Sequence, residues 1–193
     1  MTTTETLIAI IVPIAVILLL IAAGVWLLTR RRHLRKRFGP EYDRAVGTGD
    51  GRLSAERELH SREKRHQDLD IKPLSKEERE RYAAEWKGTQ ERFVDEPSRS
   101  VDDADGLVTR LMKDRGYPTA GFEQQLKDLS VEHARTLEHY RDAHDVRLRS
   151  EDGRATTEEL RGAMVHYRAL FNELLSSPGD APDHEGTKRS DAV

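Results

Sequence analysis

The chain has 193 residues, a formal net charge of −3 and no cysteine. The missing cysteine excludes disulfides, thiolate metal sites and cysteine nucleophiles. Charged residues make up 35% of the chain and aromatic residues 6%, which is typical of a solvated, helix-rich body with a small core. The basic excess lies in one short segment and the rest of the chain is mildly acidic, so the composition argues against a nucleic-acid partner.

Residues 7–28 predict a transmembrane helix. This stretch, LIAIIVPIAVILLLIAAGVWLL, has 22 uncharged residues. A helix of that length reaches roughly 33 Å, enough for a hydrocarbon core of about 30 Å. A cleaved signal peptide is disfavoured because residues 1–6 contain no Lys or Arg, and because the apolar stretch is too long and ends in Trp26 followed by arginines. We therefore expect a retained single-pass anchor with a short external N-terminus, residues 1–6.

A dense basic cluster follows the predicted span and predicts its orientation. Its members are Arg30, Arg31, Arg32, Arg35, Lys36 and Arg37. By the positive-inside rule, the N-terminus lies outside and the chain after Arg30 lies in the cytoplasm. The cluster also predicts contact with the anionic headgroups of the lipid bilayer, worth about 1 kcal/mol for each basic residue near the surface.

Two segments connect the predicted span to the rest of the chain. Residues 29–52 combine the basic cluster with a proline and four glycines, which predicts a juxtamembrane linker with at most one helical turn. Residues 53–74 have a helix-forming composition. Between Ser54 and Asp70, however, the only apolar residues are Ala55, Leu59 and Leu69. Because so narrow an apolar stripe cannot be deeply buried, we expect a solvated, charged stalk helix.

Residues 75–175 predict a small antiparallel bundle of about four helices, so the chain as a whole is predicted to be all-α. Apolar residues recur in steps of three and four along this region. No stretch shows the period-two alternation of a half-buried strand. Residues 176–193 are polar and predict a disordered tail.

Several helix starts can be predicted from capping residues. Residues 75–78 and 156–159 match the capping box, in which Ser or Thr is followed three residues later by Glu. Ser100 and Ser130 are expected to cap two further helices. The three acidic residues in 102–105 then suit the positive end of the helix dipole.

Histidine and tyrosine are the side chains of the predicted bundle that suggest a ligand site. The candidate residues are His133, Tyr140, His144, His166 and Tyr167. No two of the bundle histidines have the i, i+3 or i, i+4 spacing that places two metal ligands on one helix face. We therefore interpret the tyrosines as core residues whose hydroxyls reach the rim, with the histidines beside them. Haem or zinc binding by histidines from two helices is the alternative. We assign no catalytic residue, no metal ligand and no cofactor.

The chain resembles a family of uncharacterised bacterial proteins, common in actinobacteria, that have one N-terminal membrane span. The resemblance lies in the segments Arg115–Pro118, Phe122–Gln124, Asp128–His133, Tyr140–His144 and Ala163–Phe171. It covers roughly residues 102–175 and the layout of the anchor. Relatives often carry proline directly after the histidine matched by His133, where this chain has Ala134. The resemblance implies a location in the bacterial plasma membrane, and it implies no specific activity.

Two functions fit these observations. The first is a membrane-anchored, non-enzymatic interaction or scaffold module that presents a cytoplasmic helical bundle to a protein partner. The alternative is a membrane-tethered ligand, haem or metal sensor that uses the histidine-rich helices of residues 130–175. An enzymatic hypothesis has little support, because the sequence contains neither a nucleophile elbow nor a phosphate-binding loop.

Overall fold

A computed structural model describes the backbone of residues 3–49 and 51–176, and the side chains of these residues except 3–11, 13, 15 and 27. Every regular element in this described part of the chain is an α-helix, and there are eight, α1 to α8. The predicted all-α fold is therefore confirmed. The helices form two compact units: unit 1 holds the residues up to 67 together with 130–135, and unit 2 holds 68–129 and the residues from 136 onward.

Within the residues whose side chains the structure describes, no helical segment is long and apolar enough to cross a membrane. Part of the predicted span at residues 7–28 lies outside the described side chains, as does the predicted external segment, residues 1–6. The predicted tail, residues 176–193, lies outside the described residues from 177 onward.

Unit 1 is built from α1 (Thr3–Phe38), α2 (Pro40–Thr48) and α3 (Arg52–Gln67). Gly39 separates α1 from α2 with a φ of 46°, in the left-handed region where glycine has no Cβ to clash. Pro40 then begins α2 with its φ already suited to a helix. The core of unit 1 consists of Leu34, Phe38, Tyr42, Leu59 and Val131.

Unit 1 differs from the predicted linker and stalk in two respects. Residues 40–48 form a helix rather than at most one turn. In α3, Ala55 and Leu59 are buried rather than solvated. The physical reason is that α1 continues to Phe38, so that Leu34 and Phe38, four residues apart on one face, form an apolar surface that the narrow stripe of α3 can cover.

Unit 2 contains α4 (Lys76–Arg92), α5 (Pro97–Asp114), α6 (Phe122–Leu129), α7 (Leu137–Glu151) and α8 (Thr157–Leu175). Its most extensive helix contacts join α4 to α5, α5 to α8 and α7 to α8. The predicted helical bundle is confirmed, with four longer helices and the short α6.

Both pairs of consecutive long helices in unit 2 are antiparallel. In the first pair, Tyr82 near the start of α4 contacts Asp114 at the end of α5, and Arg92 at the end of α4 contacts Asp103. In the second pair, Arg149 near the end of α7 contacts Glu159 at the start of α8. Each pair is therefore a helical hairpin.

The core of unit 2 is organised around α5. This helix buries one complete apolar face at helical spacing, formed by Val101, Ala104, Leu107, Val108, Leu111 and Met112. Two aromatic pairs complete the core. Trp86 of α4 stacks on Phe171 of α8 with ring centroids 4.7 Å apart. Tyr140 of α7 meets Tyr167 of α8 edge-on at 6.0 Å.

Both predicted capping boxes are confirmed. At the start of α4, the Ser75 backbone N–H donates to Glu78 Oε2 at 2.8 Å, and the Glu78 N–H donates to Ser75 Oγ at 3.1 Å. At the start of α8, Thr156 and Glu159 make the same two bonds at 2.8 and 3.3 Å. These bonds satisfy N–H groups that a helix terminus otherwise leaves without a partner.

The predicted caps at Ser100 and Ser130 are wrong. Helix α5 already begins at Pro97, so Ser100 lies within it and is fully buried. Helix α7 begins only at Leu137, after the turn of residues 130–136. The second error has a tertiary cause, because Val131 contributes to the core of unit 1 and draws this segment away from the helix.

Gly116 allows the chain to turn sharply after α5. Its φ is 93°, and a Cβ at this position would lie 2.1 Å from the carbonyl oxygen of Asp70. The backbone segment from Asp70 to Lys72 is held at this place by a hydrogen bond from the Lys72 N–H to the Arg115 carbonyl at 2.9 Å. Both the conformation and the close approach therefore require glycine.

We expect Gly116→Ala to destabilise unit 2 by at least about 3 kcal/mol, because the added methyl group must displace backbone as well as adopt a left-handed conformation. Gly153→Ala is the matched control: its φ is 68° and nothing lies within 4 Å of the added Cβ. Its cost should be only the backbone strain, about 1 kcal/mol. Urea unfolding followed by Trp86 fluorescence in a Trp26→Phe background measures both; equal losses would contradict the close-approach argument.

Candidate functional site

The structure does not bring the five candidate residues together in one group. His133 belongs to unit 1, where it is buried, and the other four belong to unit 2. Within unit 2, Tyr140, His144 and Tyr167 lie around one acidic residue of α5. His166 belongs to a separate group at the surface of the α7–α8 hairpin.

Asp105 is the centre of the inner group. The Tyr167 hydroxyl donates to Asp105 Oδ1 at 2.9 Å. His144 Nδ1 lies 3.8 Å from the same oxygen, and Arg147 Nε lies 3.6 Å from Asp105 Oδ2. The Asp105 side chain is only 21% exposed. A carboxylate with so little access to water needs such partners, because an uncompensated buried charge is costly.

The two tyrosines are held in their neutral form. Burial, and after it the negative charge of Asp105, raises the pKa of both Tyr140 and Tyr167 well above the usual tyrosine value. The Tyr140 hydroxyl donates to Gln125 Oε1 at 2.9 Å. Both phenols therefore act as hydrogen-bond donors within the core near neutral pH, and neither is an anionic ligand there.

His144 and Arg147 complete the inner group from α7. The His144 ring stacks on Phe122 of α6 with centroids 3.6 Å apart and an interplanar angle of 11°. Burial would lower the pKa of Arg147, but Asp105 and the hydrogen bond to Glu151 outweigh it, so the pKa is raised. Asp105 thus joins α5 to α8 through the hydrogen bond from Tyr167, and α5 to α7 through the close side chains of His144 and Arg147, which indicates a structural network.

The outer group contains His139 and Asp142 of α7 and His166 of α8. One ligand atom from each lies within 4.8 Å of the others, and this is the group of described residues that could hold a metal ion. Sequence reasoning missed it because it compared only histidines with histidines. The signal that could have found it is the i, i+3 spacing of His139 and Asp142, which places two possible ligands on one helix face.

Half of the predicted headgroup-binding residues are paired within unit 1. The ion pairs are Arg31 with Glu56, Arg35 with Asp43, and Arg37 with Glu63. Within the described part of the chain, Arg30, Arg32 and Lys36 form no ion pair, and Arg32 and Lys36 are exposed. The Arg30 guanidinium lies over the Trp26 ring, 5.3 Å from its centroid.

A cavity of about 510 Å³ lies beside this cluster in unit 1. It is lined by Trp26, Thr29, Arg30, His33, Leu34, His60 and Glu63. Burial alone would raise the pKa of Glu63, but the hydrogen bond from His33 and the charge of Arg37 outweigh it and lower this pKa. The Glu63 carboxylate therefore keeps its charge and holds α1 and α3 together.

A smaller depression of about 160 Å³ lies on unit 2 between α4 and α8. Its lining combines apolar with basic side chains: Gln90, Phe93, Arg161, Met164, Val165 and Arg168. Val165 is 62% exposed, whereas the large apolar side chains on the core face of α8 are buried.

Comparison with family models, with curated proteins and with solved structures gives no match to this chain. The resemblance to a family of actinobacterial membrane proteins therefore stays a prediction.

We expect Tyr167→Phe to destabilise unit 2 by about 1.5–3 kcal/mol, because it removes a hydrogen bond to a charged and largely buried acceptor. Tyr82→Phe is the matched control, since it removes a phenol hydrogen bond of 2.6 Å to Asp114, whose side chain is 42% exposed. Water can replace that donor, so the loss should stay below about 1 kcal/mol. Denaturant unfolding of both variants measures the difference, and equal losses would contradict the role given to Asp105.

Proposed function

We propose that the chain is a membrane-anchored, non-enzymatic helical module of the bacterial plasma membrane. In this proposal α1 spans the bilayer once with the N-terminus outside. The two units lie on the cytoplasmic side, where unit 2 binds a protein partner.

The exposed apolar surface of α1 is the observation that carries the anchoring part. Large apolar side chains between residues 12 and 28 are 51–70% exposed: Val12, Ile14, Val16, Ile17, Leu18, Leu19, Leu20, Ile21, Val25, Trp26 and Leu28. Successive residues of a helix are about 100° apart, so the run from Leu18 to Ile21 covers every side of α1. Water-soluble monomers rarely expose an apolar surface of this extent. Lipid is the solvent in which such a helix is stable.

The basic cluster supports the proposed orientation. Directly after the apolar stretch, Arg32 and Lys36 are exposed and Arg30 lies over Trp26, an aromatic residue typical of the membrane interface. These three residues are therefore the ones we assign to anionic headgroups. Each is expected to contribute about 1 kcal/mol near a negatively charged leaflet.

The interaction part of the proposal is supported by how unit 2 uses its reactive groups. Tyr167 donates to Asp105, Tyr140 donates to Gln125, and His144 stacks on Phe122 beside Asp105, so these three side chains serve the core rather than a substrate. The depression around Val165 offers an apolar floor with Arg161 and Arg168 on its rim. This chemistry fits a partner segment that carries both apolar side chains and carboxylates.

Labelling of single cysteines tests the proposal, because the natural chain has none. Thr4→Cys marks the proposed outer end and Lys87→Cys marks unit 2, where the Lys87 side chain is 79% exposed. A membrane-impermeant maleimide should label Thr4→Cys on intact cells and Lys87→Cys only after lysis, and both proteins should stay in the membrane pellet at alkaline pH. Labelling of Lys87→Cys on intact cells would reverse the orientation; release at alkaline pH would contradict the anchor.

A third variant, Val165→Cys, extends the same experiment to the partner surface. In opened native membranes we expect slow labelling of Val165→Cys and fast labelling of Lys87→Cys, because a bound partner covers only the depression. Both should react quickly in the purified protein. Equal rates in native membranes would contradict a partner at this surface.

A further inference from the structure

His139, Asp142 and His166 occupy one patch of the α7–α8 hairpin. His139 and Asp142 lie on the same face of α7 because they are three residues apart. His166 reaches this face from α8, with the His139 and His166 rings 4.8 Å apart and tilted by 42°. His166 Nδ1 lies 3.9 Å from Asp142 Oδ2. Two imidazoles and one carboxylate therefore converge from two helices.

We propose that these three residues bind a zinc ion, or another divalent cation of the same borderline character. Neutral imidazole nitrogen and carboxylate oxygen are ligands that Zn²⁺ prefers. Three protein ligands leave the fourth tetrahedral position to water. The single carboxylate supplies negative charge without the repulsion that several acidic groups would bring.

The distances require only a small adjustment of the side chains. In a tetrahedral zinc site with bonds of 2.0–2.2 Å, the ligand atoms lie about 3.4 Å from one another. The three ligand atoms here lie within 4.8 Å. His139 and Asp142 are exposed and His166 is partly exposed, so rotation about their side-chain bonds can close the difference while both helices stay in place.

An ordinary surface ion pair accounts for only part of this arrangement. The pair of His166 with Asp142 needs no second imidazole, and an exposed pair of this kind contributes little stability. His139 is an exposed residue, and its ring nevertheless lies against the His166 ring. A shared cation gives all three side chains a common partner.

The site would connect the two helices of the hairpin. His139 lies in the first turn of α7, whereas the loop that joins α7 to α8 follows the last turn. A metal at this place therefore links the helices far from their covalent connection. Because the ligands come together only in the folded hairpin, zinc should bind the folded state and raise the stability of unit 2.

Isothermal titration of the full chain in detergent micelles with ZnCl₂ tests the proposal. The wild-type chain should bind one equivalent that each of His139→Ala, Asp142→Asn and His166→Ala weakens by at least about tenfold. The matched controls are Asp145→Asn, an exposed carboxylate one turn further along α7, and His60→Ala, a histidine of unit 1 whose side chain is 60% exposed. Both controls should keep the wild-type affinity.

A second readout reports the coordination itself. Co²⁺ in place of Zn²⁺ should give the visible absorption of a four-coordinate site, and the double variant His139→Ala/His166→Ala should lose it with its far-UV circular dichroism unchanged. Wild-type zinc affinity in that double variant, or a wild-type chain that binds no zinc at submillimolar concentration, would overturn the proposal. Neither readout depends on the membrane anchor or on a partner.

Discussion

The change of environment along α1 is the constraint on which unit 1 depends. The same helix exposes large apolar side chains on every side between Val12 and Leu28 and then, within about three turns, buries Leu34 and Phe38 completely. Because α1 continues without a break to Gly39, it provides a preformed apolar surface at its end. Helices α2 and α3 have too few apolar residues to form a core by themselves, so this surface is what allows them to fold where they do.

A single carboxylate has a comparable role in unit 2. Asp105 lies on α5, the helix that contributes a complete apolar face to the core, and its partners come from α7 and α8. Replacing such a network by apolar groups can be neutral for stability, whereas breaking it leaves a poorly hydrated charge. The network therefore fixes which way α7 and α8 face α5, while the apolar contacts supply most of the stability.

The sequence predicted helix starts correctly where the start depends on interactions between neighbouring residues. The capping boxes at Ser75 and Thr156 depend on residues within one turn, and both helices begin where expected. The predicted helix cap at Ser130 is wrong because the next residue, Val131, packs into the core of unit 1, which is built mostly from residues far away in the sequence. Whether this segment starts a helix or packs into a core depends on long-range tertiary contacts, which a single sequence does not reveal.

The inner group around Asp105 and the outer group of His139, Asp142 and His166 also depend on contacts between residues that are distant in the sequence. The sequence predicts that Asp105 lies near the start of a helix, but α5 begins at Pro97 and places Asp105 in the interior of the helix. Its partners Arg147 and Tyr167 are more than 40 residues away, so no local pattern marks them. The pairing of His139 with Asp142 was visible as a spacing, and only the antiparallel α7–α8 hairpin adds His166 to it.

The most direct test of the proposed anchor measures what surrounds Trp26. In a Trp86→Phe variant reconstituted into liposomes, Trp26 is the one remaining tryptophan. The account predicts strong quenching of its fluorescence by phospholipids brominated near the headgroup end of the acyl chains, and weak quenching by aqueous iodide. Strong quenching by iodide with no effect of the brominated lipids would place Trp26 in water and contradict the membrane anchor.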